Sequence, residues 1–310
     1  MCMSGPAWVW LNGELIPYDH AKLHVASTVI HFGPTAFEGI RCYRWSCGRS
    51  AFFRLGDHIE RLLRSARAVH LEVPFTGAEI TRACVDTVLA NRHTDAYVRP
   101  LVFPGSDSLG FGRPGRHAEV CVLSFPWRDA PLEKSQQRGI RVHVSSVIRT
   151  SASPTLSASK VSANYAAGLL AVHEARGAGC DDAILLDGAG AVAEGSTSNV
   201  FAVFGEDLAT PPTNLPILAG ITRDTLLVLA RELGIRVAER TFGPEELAVA
   251  DEVFLSGTTS EVMPVREIDG RDVGAGVPGP MTRTLSGALR GAIRGDRPSR
   301  QWSHSVPRGI

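Results

Sequence analysis

The sequence predicts a protein of α/β type with two domains. Its 310 residues suit two medium domains, and segments with strand periodicity are interspersed with segments of helical periodicity. A charged stretch that contains proline, residues 126–138, separates two such halves. We therefore expect a smaller N-terminal α/β domain over residues 1–125, a linker over residues 126–138, and a larger β-rich C-terminal domain over residues 139–310, with a loose polar tail from about residue 293.

Composition and charge exclude several classes of protein. Hydrophobic residues make up 44% of the chain and charged residues 21%, which is typical of a globular protein and not of a disordered one. The formal net charge is zero, so no overall field attracts nucleic acid or an anionic membrane. The six cysteines and ten histidines have no metal-ligand spacing, which predicts no metal site. With no secretory pattern or long apolar run, we expect a cytoplasmic protein with small-molecule partners.

The N-terminal half begins with signals for sheet. Asn12-Gly13 lies between two apolar runs within residues 8–17, which is the strongest short-range signal for a β-hairpin. Residues 24–45 mix β-branched and aromatic side chains with glycine and proline. This mixture favours strand and bend over helix.

Two helices follow. Asp57 and Glu60 resemble a capping box, and the apolar residues after them predict a helix from about Asp57 to His70. Thr76 and Glu79 predict the start of a second helix in the same way.

Longer strands are predicted on both sides of the linker. Residues 96–105 and 118–127 have strand composition, and residues 109–117 form the loop between them. Residues 139–147 alternate apolar and polar side chains, as in a half-buried strand.

The C-terminal half alternates helix and hairpin. Small and apolar residues predict a helix over residues 164–176, and the Asp-Gly pair at 187–188 predicts a hairpin whose second strand holds Glu194. Residues 221–234 have helical spacing that ends at a glycine. Residues 251–262 predict a strand that runs into a Gly-Thr-Thr turn.

Lysine is scarce, which directs attention to one position. The chain has only three lysines, Lys22, Lys134 and Lys160, among 32 Lys and Arg residues. Lys160 lies among small residues that leave room for a flat molecule, which suits an imine-forming lysine. Compositional bias also explains the scarcity, and a lysine near a helix start is usually a solvated charge.

Further residues fit the needs of an imine-forming cofactor with a phosphate. Glu194 on its strand is placed to meet a ring N–H. Ile221 and Thr222 open a helix whose amides suit a phosphate, and the turn at 257–259 offers further donors. The ordinary alternatives are a surface charge for Glu194, an N-cap for Thr222, a common turn at 257–259, and a surface position for Arg61.

The decisive feature is a set of motifs in a fixed order. They are FEGIRCY, AYVRPL, SKVSANY, AEGSTSNVF, LAGITRD and DEVFLSGT. Together they closely resemble the branched-chain amino acid aminotransferases, enzymes of pyridoxal-phosphate fold type IV, over about residues 8–289. The resemblance implies a homodimeric transaminase that uses pyridoxal 5'-phosphate. It implies transfer of the amino group between branched-chain or other apolar L-amino acids and 2-oxoglutarate by a ping-pong mechanism.

The resemblance also implies a role for individual residues. Lys160 would be the catalytic residue that forms the Schiff base. The residues that would bind the cofactor are Arg61, Lys160, Tyr165, Glu194, Leu218, Ile221, Thr222, Gly257 and Thr258. Those that would bind the substrate are Phe32, Phe37, Tyr97, Arg99, Leu109, Phe111, Trp127, Thr258 and Thr259.

Within these sets the resemblance implies more specific contacts. Tyr165 would meet the phenolate oxygen of the cofactor, Glu194 its pyridine nitrogen, and Arg61 its phosphate. Tyr97 would orient the substrate carboxylate, and Arg99 would receive the distal carboxylate of glutamate.

Two departures from the family pattern leave alternatives open. Phe32 replaces the usual tyrosine, and Val161, Ser162 and Ala163 stand where the family often has a pair of glycines. The alternatives are relatives of the same fold that act on D-amino acids, on amines, on a specialised-pathway amino acid, or on aminodeoxychorismate as a lyase. A more distant alternative is an inactive subunit that binds pyridoxal phosphate. The FEGIRCY and AYVRPL motifs favour the branched-chain type.

Overall fold

A computed structural model describes residues 5–105, 118–149, 153–295 and 302–307. The strands are β1 (Trp8–Leu11), β2 (Glu14–Pro17), β3 (Ala36–Phe37), β4 (Ile40–Arg44), β5 (Ser50–Phe53), β6 (Ala96–Pro104), β7 (Ala118–Pro126), β8 (Ile140–Ile148), β9 (Asp182–Leu186), β10 (Val192–Gly195), β11 (Asn199–Phe204), β12 (Asp207–Thr210), β13 (Arg236–Glu239), β14 (Glu252–Gly257), β15 (Glu261–Ile268), β16 (Arg271–Asp272) and β17 (Ser303–Ser305). The α-helices are α1 (Thr28–Phe32), α2 (Leu55–Ala68), α3 (Gly77–Ala90), α4 (Ala130–Arg138), α5 (Pro154–Ser157), α6 (Tyr165–Gly177), α7 (Ile221–Glu232), α8 (Pro244–Leu247) and α9 (Pro280–Ile293). Short 3-10 turns occupy Tyr18–His20 and Ser162–Asn164.

The chain divides into two compact units. Unit 1 consists of Met1–Arg128, Ser159–Ala163 and Ala292–Ile310, and unit 2 of Asp129–Ala158 and Asn164–Gly291. This division differs from the predicted one, because the segment that holds Lys160 and the C-terminal tail both belong to unit 1. The pairing of the chain explains the difference: Val161 forms a bridge with Ala36, and β17 pairs with β5.

Unit 1 is built on an antiparallel sheet of order β17-β5-β4-β6-β7-β1-β2, with β3 paired to β6. The predicted hairpin at Asn12-Gly13 is confirmed, since Leu11 pairs with Glu14. Asn12 has φ 49° and Gly13 φ 106°. Positive φ at both central residues is the geometry that the right-handed twist of a two-residue hairpin requires.

The helices of unit 1 agree with the sequence in part. Helix α3 begins with the predicted capping box between Thr76 and Glu79. The capping box predicted at Asp57 is wrong: α2 begins two residues earlier, its N-cap is Arg54, and the Asp57 carboxylate accepts from the Arg54 side chain at 2.9 Å. Residues 24–45 contain the strands that were predicted but also the short helix α1, which ends at Gly33 with φ 65°.

The C-terminal tail was predicted to be loosely held, and in the described residues 302–307 that prediction is wrong. Ser303 pairs with Phe53 at the edge of the unit 1 sheet. The ring of Trp302 packs edge-on against Phe53 at a centroid distance of 5.8 Å. Backbone pairing at an open sheet edge is a tertiary contact that composition does not reveal.

Unit 2 is built on a mixed sheet of order β10-β9-β8-β15-β14-β11-β12-β13, with β16 paired to β15. Strand β8 runs parallel to β9 and β15, and β12 runs parallel to β13. The core includes Phe201 and Phe254, whose rings stack at 4.9 Å on neighbouring strands. The predicted hairpin is β9 and β10, and its long second strand is two strands, β10 and β11, separated by residues 196–198.

Most of the segment predicted to be a linker, residues 126–138, forms helix α4 over Ala130–Arg138. Pro131 lies in the first turn of α4, where its missing N–H leaves no hydrogen bond unmade. Gln136 is buried, and its side chain donates to the carbonyl of Ser260 at 3.0 Å. Within the described ranges, no helix is both long and apolar enough to cross a membrane.

Candidate functional site

The backbone of Lys160 is fixed in unit 1 beside β3. Its N–H donates to the hydroxyl of Ser65 at 2.9 Å, and its carbonyl accepts from the N–H of Phe37 at 3.0 Å. The next residue, Val161, forms an antiparallel bridge with Ala36. The amine of Lys160 lies 5.0 Å from the centre of the Phe37 ring. The small neighbours seen in the sequence therefore let the segment lie flat against a strand.

The amine of Lys160 loses a proton more readily than an ordinary lysine. Burial lowers the pKa of Lys160 from 10.5 to about 8; Glu38 opposes this shift, and Arg61 and Arg99 add to it. The alternative of a solvated surface charge does not fit this setting. A lysine with a lowered pKa holds a useful fraction of neutral amine near neutral pH, which is the nucleophilic and basic form.

Arg61 is buried and belongs to a cluster with Glu38 and His58. Its Nε donates to Oε1 of Glu38 at 2.6 Å and its Nη2 to Oε2 at 2.9 Å. His58 Nδ1 lies 2.7 Å from Oε2 of Glu38. The surface position considered for Arg61 is wrong, because only 4% of the residue is exposed. Sequence reasoning missed Glu38 and His58, although Glu38 lies in the FEGIRCY motif and His58 precedes Arg61 at helical spacing.

Opposing effects set the charges in this cluster. Burial alone would raise the pKa of Glu38, but the charge of Arg61 and the hydrogen bonds from Arg61 and His58 bring it well below the usual range. Burial lowers the pKa of His58, although Glu38 pulls in the other direction. Near neutral pH the cluster therefore consists of a carboxylate, a guanidinium and a neutral imidazole that donates to the carboxylate.

Aromatic residues and an arginine meet on β6 of unit 1. Arg99 donates to the hydroxyl of Tyr97 through Nε at 3.0 Å and also through Nη2. The Arg99 guanidinium lies 4.7 Å from the centre of the Phe37 ring, and the Trp127 ring lies 6.0 Å from that of Tyr97. A side chain at Gly39 would collide with Tyr97, so glycine is needed there. Four predicted substrate residues, all but one aromatic, thus come together.

The other predicted substrate residues of unit 1 are placed differently. Phe32 ends α1 and is 43% exposed, with its ring 6.1 Å from that of His31. Leu109 and Phe111 lie outside the described residues.

Glu194 is held from two sides in unit 2. Oε1 accepts from Arg149 Nε at 2.6 Å, and Oε2 accepts from the N–H of Leu218 at 2.9 Å. The carbonyl of Leu218 in turn accepts from the side chain of Asn199 at 2.8 Å. Glu194 is buried, so the alternative of a strand-end surface charge is wrong.

Helix α7 begins at Ile221, and its N-cap is Gly220, a residue without a capping side chain. A Cβ at Gly220 would overlap the side chain of Asn199. Thr222 is buried in the first turn and does not serve as the N-cap. Since the N-cap has no side chain to compete for the first amides, these amides and the positive end of the helix dipole suit an anion.

The predicted turn after β14 lies next to the segment that follows Glu194. Gly257 ends β14, Thr258 and Thr259 form the turn, and Thr259 is exposed. Ser198 packs against this turn, with its Cβ 3.8 Å from the position that a Cβ at Gly257 would take. Among the described residues, the hydroxyls of Ser198 and Ser256 are buried and have no hydrogen-bond partner.

Tyr165 opens α6 and is half-buried. The residue before it, Asn164, donates through its side chain to the carbonyl of Leu156 at 2.7 Å. This bond fixes the start of the helix on which Tyr165 stands.

Comparison with known proteins gives the family. The sequence profile of the family described as Amino-transferase class IV matches residues 35–268. The chain belongs to this family. It is 40% identical over 290 residues to the branched-chain-amino-acid aminotransferase of Escherichia coli (strain K12), covering 93% of this chain and 94% of that protein. The enzyme of the same name from Pseudomonas aeruginosa is 37% identical over 287 residues, covering 93% of both chains.

Solved structures confirm the fold of this class IV aminotransferase. The crystal structure of the Escherichia coli branched-chain amino acid aminotransferase superposes with a TM-score of 0.93 at 38% identity, covering 98% of this chain and all of that one. The branched-chain aminotransferase from Thermoproteus uzoniensis with norvaline superposes with a TM-score of 0.91 at 37% identity. The match covers 98% of this chain and all of that one. The structure of the branched-chain amino acid aminotransferase from Thermobaculum terrenum in its PLP-form superposes with a TM-score of 0.90 at 35% sequence identity. The match covers 98% of this chain and 99% of that one. The prediction of a pyridoxal-phosphate-dependent transaminase of this fold is confirmed.

Each of the two units, taken by itself, holds groups of a kind that fits pyridoxal phosphate. Unit 1 supplies the amine of Lys160 with a lowered pKa and a buried arginine, Arg61. Unit 2 supplies a buried carboxylate at Glu194 and a helix start at Ile221 whose N-cap is glycine. The hydroxyl of Ser256, for which the described part of the chain holds no partner, is a further polar group on the strand that ends at Gly257. An amine, a carboxylate and donors for a phosphate are the groups that this cofactor requires.

Proposed function

We propose that this class IV aminotransferase moves the amino group between branched-chain or other apolar L-amino acids and 2-oxoglutarate in a ping-pong reaction. The observation that carries the proposal is the grouping of Phe37 and Tyr97 against Arg99, with Trp127 beside Tyr97. Aromatic rings favour an apolar side chain, while a guanidinium offers a partner to a second carboxylate. The curated relatives named branched-chain-amino-acid aminotransferase support the same substrates.

Lys160 is the proposed catalytic residue. Pyridoxal phosphate, when bound, supplies the aldehyde that carries the amino group and a ring that withdraws electrons. Lys160 would hold that aldehyde through its amine. The neutral amine of Lys160 would take the proton from the Cα of the substrate and later return it. The lowered pKa of Lys160 suits both duties, since a base is most effective when its pKa lies near the working pH.

The remaining proposed roles in unit 1 concern binding. In the proposed site, Arg61 binds the phosphate of the cofactor, because a buried guanidinium is suited to bidentate contacts with phosphate. In the same proposed site, Tyr97 orients the carboxylate at the substrate Cα. Arg99 binds the distal carboxylate of glutamate. Phe37 and Trp127 are to surround the apolar side chain, together with Phe32, Leu109 and Phe111.

The proposed roles in unit 2 concern the ring and the phosphate. In the proposed site, the carboxylate of Glu194 contacts the pyridine nitrogen of the cofactor. A negative charge there favours the protonated form of that nitrogen. Tyr165 is to meet the phenolate oxygen. Five residues are proposed to bind the phosphate or to form the backbone next to it: Leu218, Ile221, Thr222, Gly257 and Thr258. Thr259, which is exposed, is to take part in binding the substrate carboxylate.

We also propose that the enzyme is a homodimer. Val25 is 75% exposed and Ile30 is 57% exposed within one stretch of unit 1. Exposed apolar residues that lie near one another often mark a protein interface. Size-exclusion chromatography with light scattering measures the mass, and a monomer at micromolar concentration would refute this part.

A cytoplasmic location is proposed on chemical grounds. The described cysteines Cys42, Cys47, Cys84, Cys121 and Cys180 are free thiols. Free thiols are typical of a reducing compartment. Fractionation of the source cells with a periplasmic marker tests the location.

Two measurements test the proposed activity. The first is borohydride reduction of the holoenzyme and peptide mapping, which is expected to place a phosphopyridoxyl group on Lys160 and would refute the assignment by placing it on Lys22 or Lys134. The second is a panel of 2-oxo acids with L-glutamate as donor. 2-Oxoisocaproate and its branched analogues are expected to react best. If oxaloacetate or an amine without a carboxylate is preferred by about tenfold or more, the branched-chain substrate is wrong while the family assignment stands.

A further inference from the structure

One face of α2 serves both Lys160 and the carboxylate of Glu38. His58, Arg61 and Ser65 are spaced three and four residues apart, so they project from the same side of the helix. Ser65 accepts from the N–H of Lys160 at 2.9 Å. His58 and Arg61 both hold Glu38. The helix therefore carries the lysine segment and the arginine in a single rigid arrangement.

Glu38 is held in place through both its backbone and its side chain. Its N–H donates to the carbonyl of Pro100 at 3.0 Å, and it follows Phe37, whose N–H donates to the carbonyl of Lys160. The residue is fully buried, and both carboxylate oxygens accept hydrogen bonds. Burying a carboxylate is costly unless it is paired and hydrogen-bonded, and Arg61 and His58 supply those partners here.

The contact with Arg61 determines how the guanidinium points. Glu38 engages Nε and Nη2, which form one edge of the planar group, at 2.6 and 2.9 Å. The edge formed by Nη1 and Nη2 faces away from Glu38 because the fork is rigid. An arginine gripped along one edge cannot rotate, so the other edge is presented in one direction.

We propose that Glu38 is a positioning residue for phosphate recognition: it holds Arg61 in the orientation that binds the phosphate of the cofactor, and His58 holds Glu38. The inference rests on the proposed function, in which Arg61 binds that phosphate. The positioning role requires no contact of Glu38 with cofactor or substrate. Its contribution is to fix the arginine before the phosphate arrives, which removes the cost of ordering a long side chain during binding.

The charges of the cluster agree with this role. Arg61 and His58 keep the pKa of Glu38 low, so the carboxylate stays ionised across the working range. His58 has a lowered pKa and adds no charge near neutral pH. Glu38 also raises the pKa of Lys160, while Arg61 lowers it. Loss of the Glu38 charge is therefore expected to lower the pKa of Lys160 further.

The test compares two ligands that differ only in the phosphate. The full-length chain is stripped of cofactor, and its affinity is measured by fluorescence for pyridoxal phosphate and for pyridoxal. In Glu38→Gln the affinity for pyridoxal phosphate is expected to fall by roughly 10- to 100-fold, with that for pyridoxal changed by less than about threefold.

Matched variants make the result decisive. Asp95→Asn breaks another pair in unit 1, in which Asp95 accepts from the buried Arg41 at 3.1 Å; this variant is expected to leave the ratio of the two affinities unchanged. Glu38→Asp keeps the charge but draws the carboxylate back by one methylene. In this variant the ratio of the two affinities is expected to fall by less than in Glu38→Gln but by more than about twofold. If Glu38→Gln does not fold, Glu38→Asp decides, and a ratio within about twofold of that of the natural chain overturns the inference.

Arg61→Gln separates failure of the inference from failure of the proposed function. If this variant binds both ligands in the natural ratio, Arg61 does not bind the phosphate, and both the role of Arg61 and the inference fall. If Arg61→Gln instead loses the preference for pyridoxal phosphate over pyridoxal while folded Glu38 variants keep that preference, only the positioning role of Glu38 is wrong. Loss of discrimination in both supports the positioning role.

Discussion

Arg149 and Glu194 form a buried ion pair, in which Nε of Arg149 donates to Oε1 of Glu194 at 2.6 Å. The amide of Leu218 donates to the other oxygen at 2.9 Å. Donors on opposite oxygens restrict rotation of the carboxylate and favour its ionised form. A fixed, ionised carboxylate is a suitable partner for a protonated ring nitrogen.

Glu194→Gln is expected to slow both half-reactions by about 100-fold or more, because a neutral amide does not stabilise a protonated pyridine nitrogen. Stopped-flow absorbance with L-leucine and with L-glutamate measures the two rates. Glu194→Asp is the matched control, since it keeps the charge and should retain more activity. Equal rates in Glu194→Gln and the natural enzyme would contradict the role of this carboxylate.

Arg149→Met is expected to destabilise the protein. Removing one partner of a buried ion pair leaves a charge without compensation and costs about 3–5 kcal/mol. Denaturant unfolding of the apoprotein measures the free energy. The double variant Arg149→Met with Glu194→Gln should recover part of that loss, because no uncompensated carboxylate remains. If the double variant is as unstable as the sum of the single ones, the pair contributes nothing by its charge.

Local signals in the sequence predicted the elements that depend on neighbouring residues. The Asn12-Gly13 turn and the capping box of Thr76 and Glu79 are of this kind, and both are confirmed. The family follows from ordered motifs, which are specific even where single residues are not. Lys160 stood out because lysine is scarce in this chain.

Contacts between distant parts of the chain could not be predicted in this way. The bond of Arg61 to Glu38 joins a helix to the segment between β3 and β4, 23 positions away in the sequence. Pairing of β17 with β5 likewise depends on a sheet edge that only the folded chain creates. The false capping box at Asp57 shows the same limit, because Arg54 takes a left-handed conformation and pairs with Asp57 instead.

Lys160 is expected to react with amine reagents at a lower pH than an ordinary lysine. Burial lowers its pKa to about 8, so the neutral, reactive amine increases through that pH and not through 10.5. Competitive acetylation of the cofactor-free protein, with mass mapping of the Lys160 peptide, measures the midpoint. Free Nα-acetyl-lysine, whose ε-amine is unblocked, is the reference in the same tube and should show its midpoint at ~10.4. A midpoint for Lys160 close to that of the reference would contradict the effect of burial.

Arg99 is expected to serve glutamate more than leucine. Its guanidinium lies beside Tyr97 and over Phe37, where a second carboxylate gains a charged partner but an aliphatic side chain does not. Arg99→Gln should therefore reduce kcat/KM for the L-glutamate half-reaction by a factor equivalent to roughly 2–5 kcal/mol, and that for L-leucine much less. Stopped-flow measurement of the two half-reactions gives both values from one preparation.

The hydrogen bond between Arg99 and Tyr97 requires a control, because the loss of the guanidinium also removes a partner from the tyrosine hydroxyl. Tyr97→Phe removes that hydroxyl and keeps the charge. Since Tyr97 is to orient the carboxylate that every amino acid carries at Cα, Tyr97→Phe should slow the glutamate and leucine half-reactions by similar factors. A glutamate-specific loss in Arg99→Gln beside an equal loss in Tyr97→Phe separates the two roles. Equal losses for both donors in Arg99→Gln would instead make Arg99 a support for Tyr97, because only the shared carboxylate would then be affected.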